Sequence, residues 1–328
     1  MSYRTDRRTA SPKTEVIPAT SGQIRERTDC LSGQSLKPTD EAIKKQATSD
    51  SLRVSRRRLI ALKADLRTAD IDALRLFREH HFLTSRHVAD LVHSDAATEL
   101  AGYRAAQRQL KKLCSLRLVD HLPRKVGGYG GGQAQTVWHL TEAGHRLLDL
   151  NRSARETANE ESPVRRRFRE PSMQFLAHTL RVADIRLVLE RLSKGSNAKE
   201  LTTVQTEPRC WRTWVGAYGT PVTLKPDLYA ELADADFDYF YFIEADMGSE
   251  HMPTIIRKAR VYQTYYQTGR EQARHDGVFP LVLWVTPDAR RAEQILAAIR
   301  ADPKCDERLH RTLSMADLRS WLEGHEPP

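Results

Sequence analysis

Apolar residues recur at helical spacing from about residue 70 to residue 116. Ile71, Leu74, Leu76 and Phe77 form a stripe that predicts a first helix ending near His80. Asp70 is placed to cap its start. The pattern further predicts a short second helix from Thr84-Ser85 and a longer third helix over about 97–116.

The third helix has two different faces. Its apolar positions are expected to face a core and are Leu100, Tyr103, Leu110 and Leu113. Four basic residues at positions i, i+4, i+7 and i+8 share another face: Arg104, Arg108, Lys111 and Lys112. We expect these side chains to contact DNA phosphates or base edges.

A hairpin pattern follows the third helix. Residues 118–125 and 136–140 predict two strands, the glycine run Gly127–Gly132 predicts their connecting tip, and a closing helix follows to about residue 150. Three helices, a hairpin and a closing helix are typical of a winged helix-turn-helix, with Arg124 and Lys125 expected to follow the DNA backbone. The alternative is a plain hairpin in a protein-docking module.

The C-terminal half alternates helices and strands. Helices are predicted over 172–192, 253–268 and 288–300, and strands over 201–207, 211–215, 223–232, 239–246 and 279–285. This order predicts an α/β or α+β domain of residues 172–328. Residues 151–171, which are polar and poor in apolar side chains, are interpreted as a linker to the winged-helix domain of residues 69–150.

Positive charge is concentrated at the N-terminus. The 328 residues carry a formal charge of +9, of which residues 1–68 hold 15 basic and 8 acidic side chains, whereas residues 151–328 hold 26 of each. Residues 1–68 are interpreted as a disordered basic arm, helical from about 51 to 67, that could follow phosphates. The charge therefore favours a polyanionic partner for the N-terminal half.

Composition argues against membrane and secreted classes. The richest apolar run, Phe279–Val285, is far shorter than a bilayer span, and the N-terminus lacks an apolar segment typical of a leader. The four cysteines are widely separated and show no metal-binding or disulfide spacing. We therefore expect a cytoplasmic protein; its oligomeric state is left open.

Three carboxylates interrupt or end apolar strands: Asp227, Glu244 and Asp246. Glu244 and Asp246 are two residues apart and so should share a strand face. If Asp227 lies on the adjacent strand, the three acids converge on a site that suits Mg²⁺ or Mn²⁺ and could cleave a phosphodiester. Lys258 could stabilise the developing charge, and Glu190 and Glu207 are spare acids. The alternative is that these acids cap turns or pair with basic side chains.

Motifs in both halves resemble the replication-relaxation family of plasmid and mobile-element proteins. The first half carries Leu83-Thr84, Val88-Ala89 and the motif Trp138-x-Leu140-Thr141-x-x-Gly144. The second half carries His178, Pro226-Asp227, Phe242-x-Glu244-x-Asp246-x-Gly248-x-Glu250, Lys258 and Tyr262. The resemblance implies a DNA-binding protein involved in plasmid replication and DNA relaxation.

The second half also resembles the PD-(D/E)xK nuclease core, whose element order is αβββαβ. On this resemblance Asp227 supplies the first acid of the motif and Glu244 the second. Asp246 stands where the motif has lysine, and Lys258 would be a migrated equivalent of that lysine. The resemblance implies a Mg²⁺-dependent endodeoxyribonuclease with Asp227, Glu244 and Lys258 as catalytic residues and Asp227, Glu244 and Asp246 as metal ligands.

The favoured hypothesis is thus a winged helix that binds double-stranded DNA, joined to a restriction-endonuclease-like domain that nicks it. The alternative is a non-catalytic accessory or transcription-regulatory protein whose C-terminal domain docks a replication or relaxase partner.

Overall fold

The computed structural model describes residues 54–123, 135–151, 170–192, 199–216 and 219–324. All of these belong to one compact unit that spans Arg53–Pro328. The basic arm up to residue 53, the glycine-rich hairpin tip with Arg124 and Lys125, and most of the expected linker lie outside the described residues. None of the described helices is long and apolar enough to cross a membrane.

In the described residues, the N-terminal half has five helices and a small sheet. Its helices are α1 (Arg56–Asp65), α2 (Thr68–His80), α3 (Ser85–Val92), α4 (Glu99–Ser115) and α5 (Glu142–Leu148). Its strands are β1 (Phe82–Thr84), β2 (Val119–His121) and β3 (Val137–Leu140). They form an antiparallel sheet in the order β1-β3-β2.

This half encloses its own core, to which α2, α4 and the sheet contribute Leu74, Phe77, Leu110 and Val119. The expected basic arm is helical over α1, and Leu59 and Leu62 of α1 are buried in the same core. The folded region therefore begins before residue 69. Leu100, expected to face inward, is 57% exposed because it lies in the first turn of α4, beyond the packed part of that helix.

The C-terminal half begins with a long helix, and its helices pack against a five-stranded sheet. The helices are α6 (Met173–Leu192), α7 (Met252–Tyr266), α8 (Ala289–Ala301) and α9 (Leu318–Leu322). The main-sheet strands are β4 (Glu200–Thr206), β7 (Leu228–Ala233), β8 (Asp238–Ala245), β9 (Leu281–Thr286) and β10 (His310–Ser314). A separate hairpin, β5 (Arg212–Val215) and β6 (Pro221–Leu224), is inserted between β4 and β7.

The main sheet has the order β10-β9-β8-β7-β4. The pairs β4–β7 and β7–β8 are antiparallel, whereas β8–β9 and β9–β10 are parallel. The expectation of a mixed α and β fold is confirmed: side chains alternate between two faces, with Ile243 packing on the side of α6 and Phe242 on the side of α7.

Four elements differ from expectation. The single strand expected over 223–232 is two strands, because Pro226 cannot donate a ladder hydrogen bond and the chain leaves the β5–β6 hairpin at this point. The strands β1 and β10 and the helix α9 were not predicted. They are only three, five and five residues long, so they show little periodicity.

Helix α6 contacts the N-terminal half along its length. Phe82, Leu122 and Val137 of that half form a small apolar cluster with Leu176 and Leu180. Polar contacts continue the interface: His87 Nε2 lies 2.9 Å from Asp184 Oδ1, and Arg186 Nη1 lies 3.0 Å from Glu79 Oε2. The helix thus has side chains in both halves of the folded unit.

Candidate functional site

The carboxylates of Asp227 and Glu244 lie on one face of the sheet. Leu228 pairs with Ile243 across β7 and β8, which places Asp227 and Glu244 opposite each other on the alternate face. The Ala245 N–H donates to Asp227 Oδ2 at 2.7 Å, so the Asp227 side chain is fixed against the end of β8. The strand register therefore brings these two acids together.

Asp227 is buried and faces a histidine from α6. His178 Nε2 lies 3.2 Å from Asp227 Oδ2. Burial alone would raise the pKa of Asp227, but the hydrogen bond from His178 and the charge of Lys258 outweigh it and lower that pKa. The same contact raises the pKa of His178. Asp227 therefore carries a negative charge at neutral pH.

Glu244 is almost fully buried and accepts two hydrogen bonds from α7. Lys258 Nζ lies 2.5 Å from Glu244 Oε2, and the Tyr262 hydroxyl donates to Oε1 at 2.6 Å. Burial raises the pKa of Glu244 to about 8, although the charge of Lys258 pulls in the opposite direction. The charged form of Glu244 is thus costly to bury, and Lys258 and Tyr262 provide its local compensation.

Lys258 reaches this pair because α7 runs along the same face of the sheet. Lys258 and Tyr262 are four residues apart, so they project from one side of the helix. Burial alone would lower the pKa of Lys258, but the charges of Glu244 and Asp227 raise it instead. The ammonium group is therefore held in its charged form beside both carboxylates.

Asp246 differs from the expectation that it joins this pair. It follows the end of β8, where Arg291 binds its two oxygens at 2.8 and 3.1 Å. The Gly248 N–H also donates to Asp246, at 3.1 Å. Among the residues that the structure describes, no group of three or more His, Cys, Asp and Glu side chains is arranged to hold a metal ion. The geometry brings together Asp227, Glu244 and Lys258 and leaves Asp246 in a separate ion pair.

The two spare acids lie in different places. Glu190 Oε1 lies 3.1 Å from Arg186 Nη2, and both residues belong to α6, so Glu190 is already in an ion pair. Glu207, at the turn after β4, accepts a hydrogen bond from Trp211 Nε1 at 3.3 Å. Partial burial and the charge of Asp227 raise the pKa of Glu207.

The basic face of α4 is exposed at three of its four predicted positions. Arg104, Arg108 and Lys111 are exposed and form no ion pair with any described residue. Lys112 differs, because its Nζ lies 2.6 Å from Oδ2 of the fully buried Asp70. Asp70 is the third residue of α2 and not its N-cap, but its carboxylate accepts the Arg67 N–H at 3.1 Å and so does cap the helix start. Lys112 ties α4 to that helix.

Lys112→Ala should destabilise the fold, whereas Lys111→Ala should not. Loss of a hydrogen bond to a buried charge is expected to lower the free energy of unfolding by about 1–2 kcal/mol, a figure reduced for the partial exposure of Lys112. The exposed Lys111 should change it by less than about 0.5 kcal/mol. Urea unfolding of both variants measures this, and equal stabilities would contradict the assigned contact.

The sequence motifs include His178 and Tyr262 without indicating a role for either, and they do not include Arg291. A signal for Tyr262 was present, since it follows Lys258 by one helical turn. Along the chain, His178 is 49 residues from Asp227, and Arg291 is 45 residues from Asp246. No local pattern in the sequence indicates such distant pairs.

The fold and the site define a mixed α+β protein with an exposed basic helix in one half and a buried Asp–Glu–Lys group at the end of a central sheet strand in the other. Residues 74–282 match the model of the replication-relaxation family. The chain belongs to the replication-relaxation family. Comparison with curated proteins and with solved structures gave no match.

Proposed function

We propose that this protein binds double-stranded DNA in the replication or relaxation of a plasmid or mobile element, and that it nicks the DNA in a Mg²⁺- or Mn²⁺-dependent reaction. The observation that carries the proposal is the placement of Asp227, Glu244 and Lys258 on one face of the sheet. Membership of the replication-relaxation family supports the process. The protein would act in the cytoplasm, together with replication or relaxase proteins.

For DNA binding we propose that the N-terminal half is a winged helix. The succession α2-β1-α3-α4-β2-β3 and the sheet order β1-β3-β2 support this assignment. In a winged helix the third helix enters the major groove, so α4 would present Arg104, Arg108 and Lys111 to DNA. Arg124 and Lys125 would extend the contact along the backbone, and Lys112 would chiefly hold α4 in place.

The combined variant Arg104→Ala, Arg108→Ala and Lys111→Ala should bind duplex DNA more weakly and with less dependence on salt. Each lost phosphate contact is expected to reduce the slope of log affinity against log salt concentration by about 0.9, or about 2.7 for three contacts. Binding of labelled duplex at several salt concentrations measures the slope. A matched control removes three exposed cations from the C-terminal half: Arg270, Arg300 and Arg319. Equal slopes in the two variants would instead favour a protein-docking role for α4.

For cleavage we propose that the C-terminal half is a restriction-endonuclease-like domain. The order α6, β4, β7, β8, α7, β9, with β7 and β8 antiparallel and β9 parallel to β8, supports an αβββαβ core. Mg²⁺ is commonly held by one or two carboxylates and substrate phosphate, so Asp227 and Glu244 suffice as its protein ligands. The cation would polarise the phosphodiester and activate water, and Lys258 would stabilise negative charge on the phosphate.

Supercoiled plasmid tests the cleavage step. Incubation with the protein and Mg²⁺ or Mn²⁺ should give open circles, and EDTA should prevent their formation. The alternative is a DNA-binding protein without catalysis, which the ion pair between Lys258 and Glu244 favours because it already neutralises one of the two acids. Plasmid that stays supercoiled with either cation would support that alternative.

A further inference from the structure

The segments on either side of the β5–β6 hairpin form a rim beside Asp227. The turn of residues 207–210 and Trp211 precede the hairpin, and Lys225 and Pro226 follow it directly. The Cys210 thiol donates to the Pro226 carbonyl oxygen at 3.0 Å, so the two segments are joined next to Asp227. Side chains on this rim therefore lie close to the proposed reaction site.

Two cations on the rim have no acidic partner in the part of the chain that the structure describes. Arg209 and Lys225 are exposed, and neither forms an ion pair with a described residue. Other arginines near the hairpin are engaged, as Arg212 shows with Glu271 at 2.8 Å. Unpaired cations beside an acidic site are suited to a ligand that is itself anionic.

Trp211 gives Lys225 a fixed position. Lys225 Nζ lies 4.2 Å from the centre of the Trp211 ring, a cation–π contact, while the ring edge donates to Glu207. Trp211 is also packed against the core on the α7 side of the sheet. The ammonium group is thus held over a rigid support instead of moving freely in solvent.

We infer that Arg209 and Lys225 bind the phosphodiester backbone of duplex DNA beside the phosphate that is cleaved, with Trp211 as the residue that positions Lys225. The inference rests on the proposed function, since it assigns a second DNA contact to the same site. The rim would anchor phosphates flanking the site, where repulsion from Asp227 and Glu244 would otherwise oppose the approach of the polyanion. DNA would then be held at two places, by α4 and by the rim.

The double variant Arg209→Ala, Lys225→Ala tests this inference in the full chain. Duplex DNA binding is measured in EDTA over a range of salt concentrations, so the result does not depend on metal or on cleavage. We expect the slope of log affinity against log salt to fall by about 1.8, or about 0.9 for each phosphate contact. The matched control is Arg270→Ala, Lys304→Ala, which removes two exposed cations that do not belong to the rim. A slope equal to that of the control would overturn the inference.

Two further results separate this inference from the proposed cleavage. If the plasmid is never nicked but the rim variant shows the reduced slope, the rim binds DNA without catalysis and only the cleavage proposal fails. If the plasmid is nicked and the slope is unchanged, the cleavage proposal stands and the rim inference fails. Trp211→Leu should lower the slope of log affinity against log salt by about 0.9, the amount expected for the Lys225 contact alone. A slope like that of the wild type would show that Trp211 does not position Lys225.

Discussion

Asp227→Asn should reduce nicking of supercoiled plasmid by about a hundredfold, because the loss of one ionised ligand is expected to raise the barrier by about 3 kcal/mol. Asparagine retains an oxygen that can accept the hydrogen bond from the Ala245 N–H, so the end of β8 should keep its geometry. DNA binding in EDTA should not weaken, since the substitution removes no cation from α4 or from the rim. Initial rates of open-circle formation measure the effect.

Asp236→Asn is the matched control for this experiment. Asp236 is an exposed carboxylate in the turn between β7 and β8, at the opposite end of β8 from Glu244. It should nick at the wild-type rate. If Asp227→Asn also nicks at the wild-type rate, Asp227 has no part in the reaction.

Lys258→Met should destabilise the protein, and more so as the pH rises. Removing one partner of a buried ion pair leaves the other charge uncompensated, which is expected to cost about 3 kcal/mol of unfolding free energy at high pH. At about pH 5 the cost should be smaller, because the raised pKa of Glu244 allows that side chain to be neutral. Urea unfolding at both pH values measures the difference.

The sign follows from the two states of Glu244. Its pKa is about 8 in the folded protein and about 4.3 in an unfolded chain, so the folded state binds the proton more tightly. Stability from this group is fully present below the unfolded pKa and is lost as the pH rises through the folded pKa. Without Lys258 the folded pKa rises further, which deepens the loss. Lys304→Met, at an exposed lysine, should show no such pH dependence, and equal behaviour of the two variants would contradict the buried pair.

Elements with strong periodicity could be predicted from the sequence. The helices α2, α4, α6 and α7 and the strand β8 lie within a few residues of their predicted places, because each is marked by apolar residues at helical spacing or in a short run. The juxtaposition of Asp227 with Glu244 was predictable for the same reason. Adjacent antiparallel strands place opposite residues on one face, and a carboxylate in an apolar strand is conspicuous.

The contacts that determine what each charge does could not be predicted. Lys112 and Asp246 have the same local patterns as their neighbours, yet Asp70 and Arg291 occupy them through tertiary pairing. Pro226 is evident in the sequence, but the sequence does not show that the chain leaves a hairpin at this residue. These outcomes depend on distant segments of the chain, and the spacing of residues along a helix or a strand carries no information about them.

A crystal grown with Mn²⁺ and duplex DNA would show whether Asp227 and Glu244 hold the cation, since Mn²⁺ can be located by its anomalous scattering. We expect a peak about 2.0–2.3 Å from carboxylate oxygens of both Asp227 and Glu244, the range expected for a small divalent cation bound to oxygen. A DNA phosphate should be coordinated to the same cation. A DNA-bound crystal with no anomalous peak at these carboxylates, and with Lys258 still bound to Glu244, would contradict the proposed metal site.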